Sequence, residues 1–150
     1  MIRAALAALL LALALPAAAL CDRVQVRGLS YHFDRSKSYQ EINPGLGCEW
    51  RWRNDDVFAS LGAYSNSFGE TVVDGIVGWT PFDLGRLCPW NSDLCRSNVR
   101  LGAVAGVFYG YDDPIVMPPV PAARIEGRRY GVYTVVIPDV VMMFFATVKF

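Results

Sequence analysis

The sequence has a single histidine, His32, and only two lysines, Lys37 and Lys149, among 150 residues. It has four cysteines, Cys21, Cys48, Cys88 and Cys95, but none in paired CxxC spacing. One distant histidine and scattered cysteines argue against a zinc centre, so no metal is expected. Net charge is missing too, because 14 basic residues balance 14 acidic ones. Without a basic stripe, nucleic acid is not an expected partner. No glycine-rich phosphate loop is present, which removes the common nucleotide-binding reading. Beyond the first 20 residues no stretch shows helical periodicity, which excludes a helical bundle.

What is present begins with "MIRAALAALLLALALPAAALC". Arg3 supplies a short basic head and residues 4–15 an apolar segment. Pro16 breaks it, and Ala17, Ala18 and Ala19 provide the small residues of a cleavage site. Residues 1–19 read as a secretory signal peptide and residues 20–150 as the mature domain. A membrane anchor is the alternative, for which the apolar run is short. Leu20 stands where a lipoprotein signal wants a small residue, which argues against lipidation of Cys21. Without Arg3 the exported chain carries 13 basic and 14 acidic residues. Export implies an oxidising compartment, where cysteines can pair. Cys88 and Cys95 bracket the turn-rich "CPWNSDLC" and are the candidate disulfide, while Cys48 reads as an apolar filler within a strand.

The mature chain reads as strands of about ten residues separated by turn signals. They fall at 23–34, 39–53, 57–65, 71–80, 98–109, 120–127, 129–137 and 140–150. In "TVVDGIVGW" one parity gives Thr71, Val73, Gly75, Val77 and Trp79, and the other Val72, Asp74, Ile76 and Gly78. In "GLGCEWRWR" Leu46, Cys48, Trp50 and Trp52 oppose Gly47, Glu49 and Arg51. One face is apolar, and the other mixes both charges with glycines. A soluble β-sandwich would turn the charged face to water. A small membrane barrel would turn it inward, where a narrow lumen demands paired charges. Three features favour the barrel: the balanced charges, aromatic residues near strand ends, and the final "MMFFATVKF". The aromatics form two levels, Trp50, Trp52 and Trp79 at one and Tyr31, Phe33, Tyr64, Phe68 and Tyr109 at the other, as in interfacial girdles. The alternating Met142, Phe144, Ala146, Val148 and Phe150 resemble the signal through which the barrel-assembly machinery recognises its clients. The expected fold is therefore all-β, an eight-stranded antiparallel up-and-down transmembrane β-barrel, monomeric, in a Gram-negative outer membrane. "VQVR" and "LSYHF" alternate on different parities, which a bulge near Gly28 would reconcile. Ser30 and His32 would then point inward at the outer mouth.

Two polar clusters meet at that mouth. One holds His32, Tyr39, Glu41 and Asn43, and the other, in "YSNSFGE", holds Asn66, Ser67 and Glu70. A histidine beside a serine at a membrane surface suggests acyl transfer, the imidazole taking a hydroxyl proton. The plain alternative is that serine and asparagine are ordinary turn residues.

"YQEINPGLG" (39–47), "YSNSFGETVVDGIVGW" (64–79) and "PIVMPPVPAARIEG" (114–127) together resemble the lipid A palmitoyltransferase family of Gram-negative outer membranes, PagP-like barrels. The likeness is distant and spans most of the mature chain. It implies an acyltransferase that moves a phospholipid acyl chain to lipid A, without metal or organic cofactor. Its partners would be outer-membrane phospholipid and lipopolysaccharide. Carried over by position, His32 is the general base, Ser67 its polar partner and Asn66 the orienting group. Asn66 departs from the aspartate of the family, and Glu41 or Glu70 would have to supply the missing charge. The acyl chain would lie in the barrel core, where Gly102 and Gly106 leave room. The family's N-terminal amphipathic helix has no counterpart before Arg23. The rival reading is a non-catalytic small outer-membrane barrel, structural or surface-binding. A lumen plugged by Arg100, Arg124, Glu49 and Asp74 would favour it.

Overall fold

The computed structural model describes residues 21–86 and 97–149. The expected signal peptide, the Cys88–Cys95 pair and Phe150 lie outside the described residues. Eight strands run in order: β1 (Arg23–His32), β2 (Ile42–Trp52), β3 (Val57–Ser65), β4 (Thr71–Arg86), β5 (Asn98–Tyr109), β6 (Ile115–Glu126), β7 (Tyr130–Ile137) and β8 (Val141–Val148). Each pairs antiparallel with the next, and β1 closes on β8 to complete a barrel. Closure pairs the strands on both sides, apart from the outer stretch of β6, which has no β7 partner. The connections 33–41, 66–70, 110–114 and 138–140 share one rim, called here the loop rim.

The alternation read from the sequence sets which face is which. On β4, Val72, Asp74 and Ile76 are buried, while Val73, Val77 and Trp79 are exposed. The β1 bulge falls between Arg27 and Leu29, and beyond it Ser30 is buried. Were the strand regular there, Leu29 would occupy the lumen and Ser30 the wall, because strand parity is two.

Four parts of the expectation shift. β4 does not end at Thr80; it continues to Arg86 across register irregularities between Trp79 and Phe82 and between Asp83 and Arg86. β6 begins at Ile115, five residues before the expected start, despite Pro118, Pro119 and Pro121. Those prolines lack N–H donors, and β6 pairs with β7 only from Ala122 to Glu126. Tyr64, expected in a girdle, packs instead against the interior core, and its hydroxyl lies 3.4 Å from that of Tyr111. Cys48 is not a filler: it forms a disulfide with Cys21, Cα–Cα 5.4 Å, tying the chain ahead of β1 to β2.

The lumen is solid. Arg27 and Asp74 form an ion pair across it. Gln25 donates to Glu49 Oε2 at 2.7 Å and to the Tyr133 hydroxyl at 2.6 Å. Arg51 pairs with Glu49 and Glu126, and Arg124 reaches Glu126 at 2.7 Å. Apolar side chains, including Phe58, Ile76, Val104, Val135 and Phe145, fill the remainder. The glycines serve this packing. A Cβ at Gly62 would overlap the Arg27 guanidinium, and one at Gly78 the Phe58 ring.

Candidate functional site at the loop rim

His32 ends β1, just past the bulge that turns it inward. Ser67 sits in the tight connection between β3 and β4, 35 residues along the chain. The barrel brings them together: His32 Nε2 lies 3.1 Å from Ser67 Oγ. That is hydrogen-bond reach for a base and a hydroxyl.

Three neighbours frame the pair. The Tyr39 ring stacks on the imidazole, centroids 4.0 Å apart and planes 13° off parallel. The Phe68 ring meets Tyr39 edge-on at 5.8 Å. The Asn43 side-chain amide lies 3.0 Å from Ser30 Oγ and 3.4 Å from Ser67 Oγ. With its amide nitrogen turned to the Gln40 and Ile42 carbonyls, its oxygen accepts from Ser30, and every partner is satisfied. Backbone bonds hold the frame: Gln40 N–H donates to the Ser67 carbonyl at 3.1 Å, and Ser30 N–H to the Glu41 carbonyl at 2.9 Å. The Ser36 hydroxyl and N–H hold the exposed Asp34 carboxyl below the usual carboxylate range, fixing the start of the same connection.

The remaining expected residues do other work. Asn66 does not orient His32. It is buried, and its Oδ1 accepts from Phe68 N–H and Glu70 N–H, each at 2.9 Å. Its Nδ2 donates to Glu70 Oε2 at 3.2 Å. An Asx residue at a turn saturates local backbone donors in this way, and Gly69 at φ 83° completes the turn. Glu41 pairs with Arg35 at 2.5 Å, and Arg35 in turn lies 4.1 Å over the Tyr31 ring. Neither glutamate bonds the imidazole, and among the described residues His32 Nδ1 is buried without a hydrogen-bond partner. The arrangement is thus a histidine–hydroxyl pair held by aromatic packing, without a carboxylate third member.

Beneath the pair, a cavity of about 20 Å³ is bordered by Arg27, Ser30, Asn43, Tyr64, Phe108 and Met143. That is room for about one water molecule, not an acyl chain. The expectation of a chain in the core fails at the glycines as well. A Cβ at Gly102 would strike the Trp79 and Thr80 backbone, and one at Gly106 the Gly75 carbonyl. These glycines admit the neighbouring strand, and Gly102 also lines an apolar cavity of about 430 Å³ in the barrel wall, beside Trp79, Phe82, Leu101 and Pro121. Of the expected plug, Glu49, Asp74 and Arg124 are buried in the lumen, whereas Arg100 pairs with Asp56 near the opposite rim.

Sequence reasoning missed Gln40 as a tether and Phe68 as part of the site. Phe68 carried only the girdle signal, although its place beside Ser67 was already visible. No protein-family model matches the chain, and no curated protein matches it.

Proposed function

We propose that this chain is a small outer-membrane β-barrel that performs acyl transfer at its outer rim, from a phospholipid to a lipid A hydroxyl. The observation that carries the reading is the 3.1 Å approach of His32 Nε2 to Ser67 Oγ at one mouth of the barrel. The apolar exterior supports the membrane setting: Leu46, Leu61, Val73, Val77 and Val132 all face outward and are exposed. In the reaction the acceptor hydroxyl attacks the phospholipid ester carbonyl, its proton passing to Ser67 Oγ as the Ser67 hydroxyl proton passes to His32 Nε2. A new ester C–O bond forms as the donor's ester C–O bond breaks. The imidazolium returns its proton to the departing lysophospholipid oxygen, so the base is regenerated. Ser67 holds the imidazole and the incoming hydroxyl in one hydrogen-bond chain. With the lumen occupied by side chains, the donor's acyl tail stays in the surrounding hydrocarbon.

The filled lumen and the diversion of Asn66 into its own turn favour a second reading, a non-catalytic barrel that presents its loops. Incubating the refolded protein with phospholipid vesicles containing lipid A separates the two. The first reading expects lipid A to gain the mass of one acyl chain. Unchanged lipid A with a heat-modifiable, folded barrel selects the second.

A further inference from the structure

We propose that Tyr39 is the positioning residue for His32, holding the imidazole by stacking where a carboxylate would hold it by hydrogen bonding. The inference rests on the acyl-transfer reading above and concerns the same pair.

His32 Nδ1 is buried and has no hydrogen-bond partner among the described residues. The groups that could have supplied one are engaged elsewhere: Glu41 with Arg35, Glu70 with Asn66, and Asn66 with its own turn. An imidazole held only through Nε2 could swing about its χ2 torsion, which is broad for histidine. The Tyr39 ring removes that freedom by lying 4.0 Å away and nearly parallel. Phe68 presses edge-on against Tyr39 and keeps it there. The same segment also fixes the other partner, because Gln40 N–H donates to the Ser67 carbonyl at 3.1 Å. One stretch of connection therefore sets both the plane of the base and the position of the hydroxyl. Tyr39 orients but brings no negative charge; Glu41 favours an imidazolium here only at a distance, against desolvation and the Arg35 charge.

His32 is the only histidine in the chain, so labelled histidine yields one imidazole signal. In the folded wild-type protein that signal is expected to show the ring-current shift of a stacked aromatic. Tyr39→Leu should move it toward the free-histidine position, and Tyr39→Phe should restore it. In the acyl-transfer assay, Tyr39→Leu should lower kcat about tenfold or more with little change in KM, and Tyr39→Phe should recover most of the rate. Heat-modifiable mobility on gels confirms that each variant is folded. An unshifted wild-type imidazole, or a Phe variant as slow as the Leu variant, overturns the positioning role alone. A shifted imidazole in a protein that transfers no acyl chain overturns the acyl-transfer reading instead, and with it any catalytic use of the stack.

Discussion

The Arg27 guanidinium and the Asp74 carboxylate pair in the middle of the barrel, their side chains 2% and 0% exposed. They come from β1 and β4, so the pair spans the lumen rather than joining neighbours in the sheet. The guanidinium lies in space that the absent side chain of Gly62 leaves open, 5.4 Å from the Phe145 ring. Such a pair adds little net stability, because both ions have been desolvated. Breaking it is another matter, since one buried charge then stands alone. Asp74→Ala is expected to cost about 3–5 kcal/mol. The double change Arg27→Met with Asp74→Leu should cost clearly less. Urea unfolding followed by tryptophan fluorescence measures both, and a double variant as unstable as the single one would contradict the account.

The disulfide gives a second prediction. Cys21 and Cys48 are 27 residues apart, and closing a loop of that length removes denatured-state entropy worth about 3.5 kcal/mol in the chain-entropy model. Cys48→Ala should lower stability by up to that amount, and reducing agent should do the same to the unmodified protein. A Cys21 sulfur in this bond cannot also carry a lipid. Non-reducing peptide mapping is therefore expected to show Cys21 linked to Cys48, with no acylated Cys21 peptide.

Much of this barrel was legible because a strand that faces apolar surroundings on one side writes its parity into the sequence. Val73, Val77 and Trp79 alternate with Val72, Asp74 and Ile76, and the broken parity around Gly28 located the bulge. Strand order alone placed His32 and Ser67 on one rim, since consecutive antiparallel strands put alternate connections there, but their 3.1 Å approach depended on the loop conformations. What stayed hidden depended on register or on side-chain competition. The disulfide needed the Val24↔Cys48 register, which no local pattern encodes. Tyr64 resembled an interfacial aromatic, because a tyrosine near a strand end looks the same whether it faces inward or outward. β6 ran on through its prolines because its outer stretch has no β7 partner that would need their N–H groups. Asn66 aligned with a catalytic position, but an asparagine beside a glycine turn finds backbone donors nearer than any histidine.

That last point predicts different fates for two adjacent residues. Asn66→Ala removes the acceptor for Phe68 N–H and Glu70 N–H and should cost about 1–3 kcal/mol in unfolding experiments. Ser67→Ala leaves those bonds intact and should barely change stability. In the acyl-transfer assay the order reverses in kind: Ser67→Ala and His32→Ala should lose about a hundredfold or more in rate. Asn66→Asp should not raise the rate, because its side chain remains committed to the turn. A faster Asn66→Asp enzyme would show that the side chain reaches the imidazole after all.

The glycines allow a contrast in which the same substitution has opposite consequences. Gly78 faces the lumen against Phe58, and an added Cβ would overlap that ring. Phe58 is fully buried and packed against Tyr133, whose ring centroid is 5.6 Å away. A shift of the ring would press on Tyr133, whose hydroxyl accepts from Gln25, and on the Arg124 guanidinium 4.7 Å away. Gly78→Ala is therefore expected to cost about 1–3 kcal/mol through overpacking. Gly28, at the bulge, has nothing within 4 Å of an added Cβ, and its φ is not in the left-handed region. Gly28→Ala should be neutral or slightly stabilising, because it only narrows the unfolded ensemble. Parallel urea titrations of the two variants check this. A destabilised Gly28→Ala would mean that the bulge needs a glycine backbone, and the inward turn of His32 would then depend on that residue rather than on register alone.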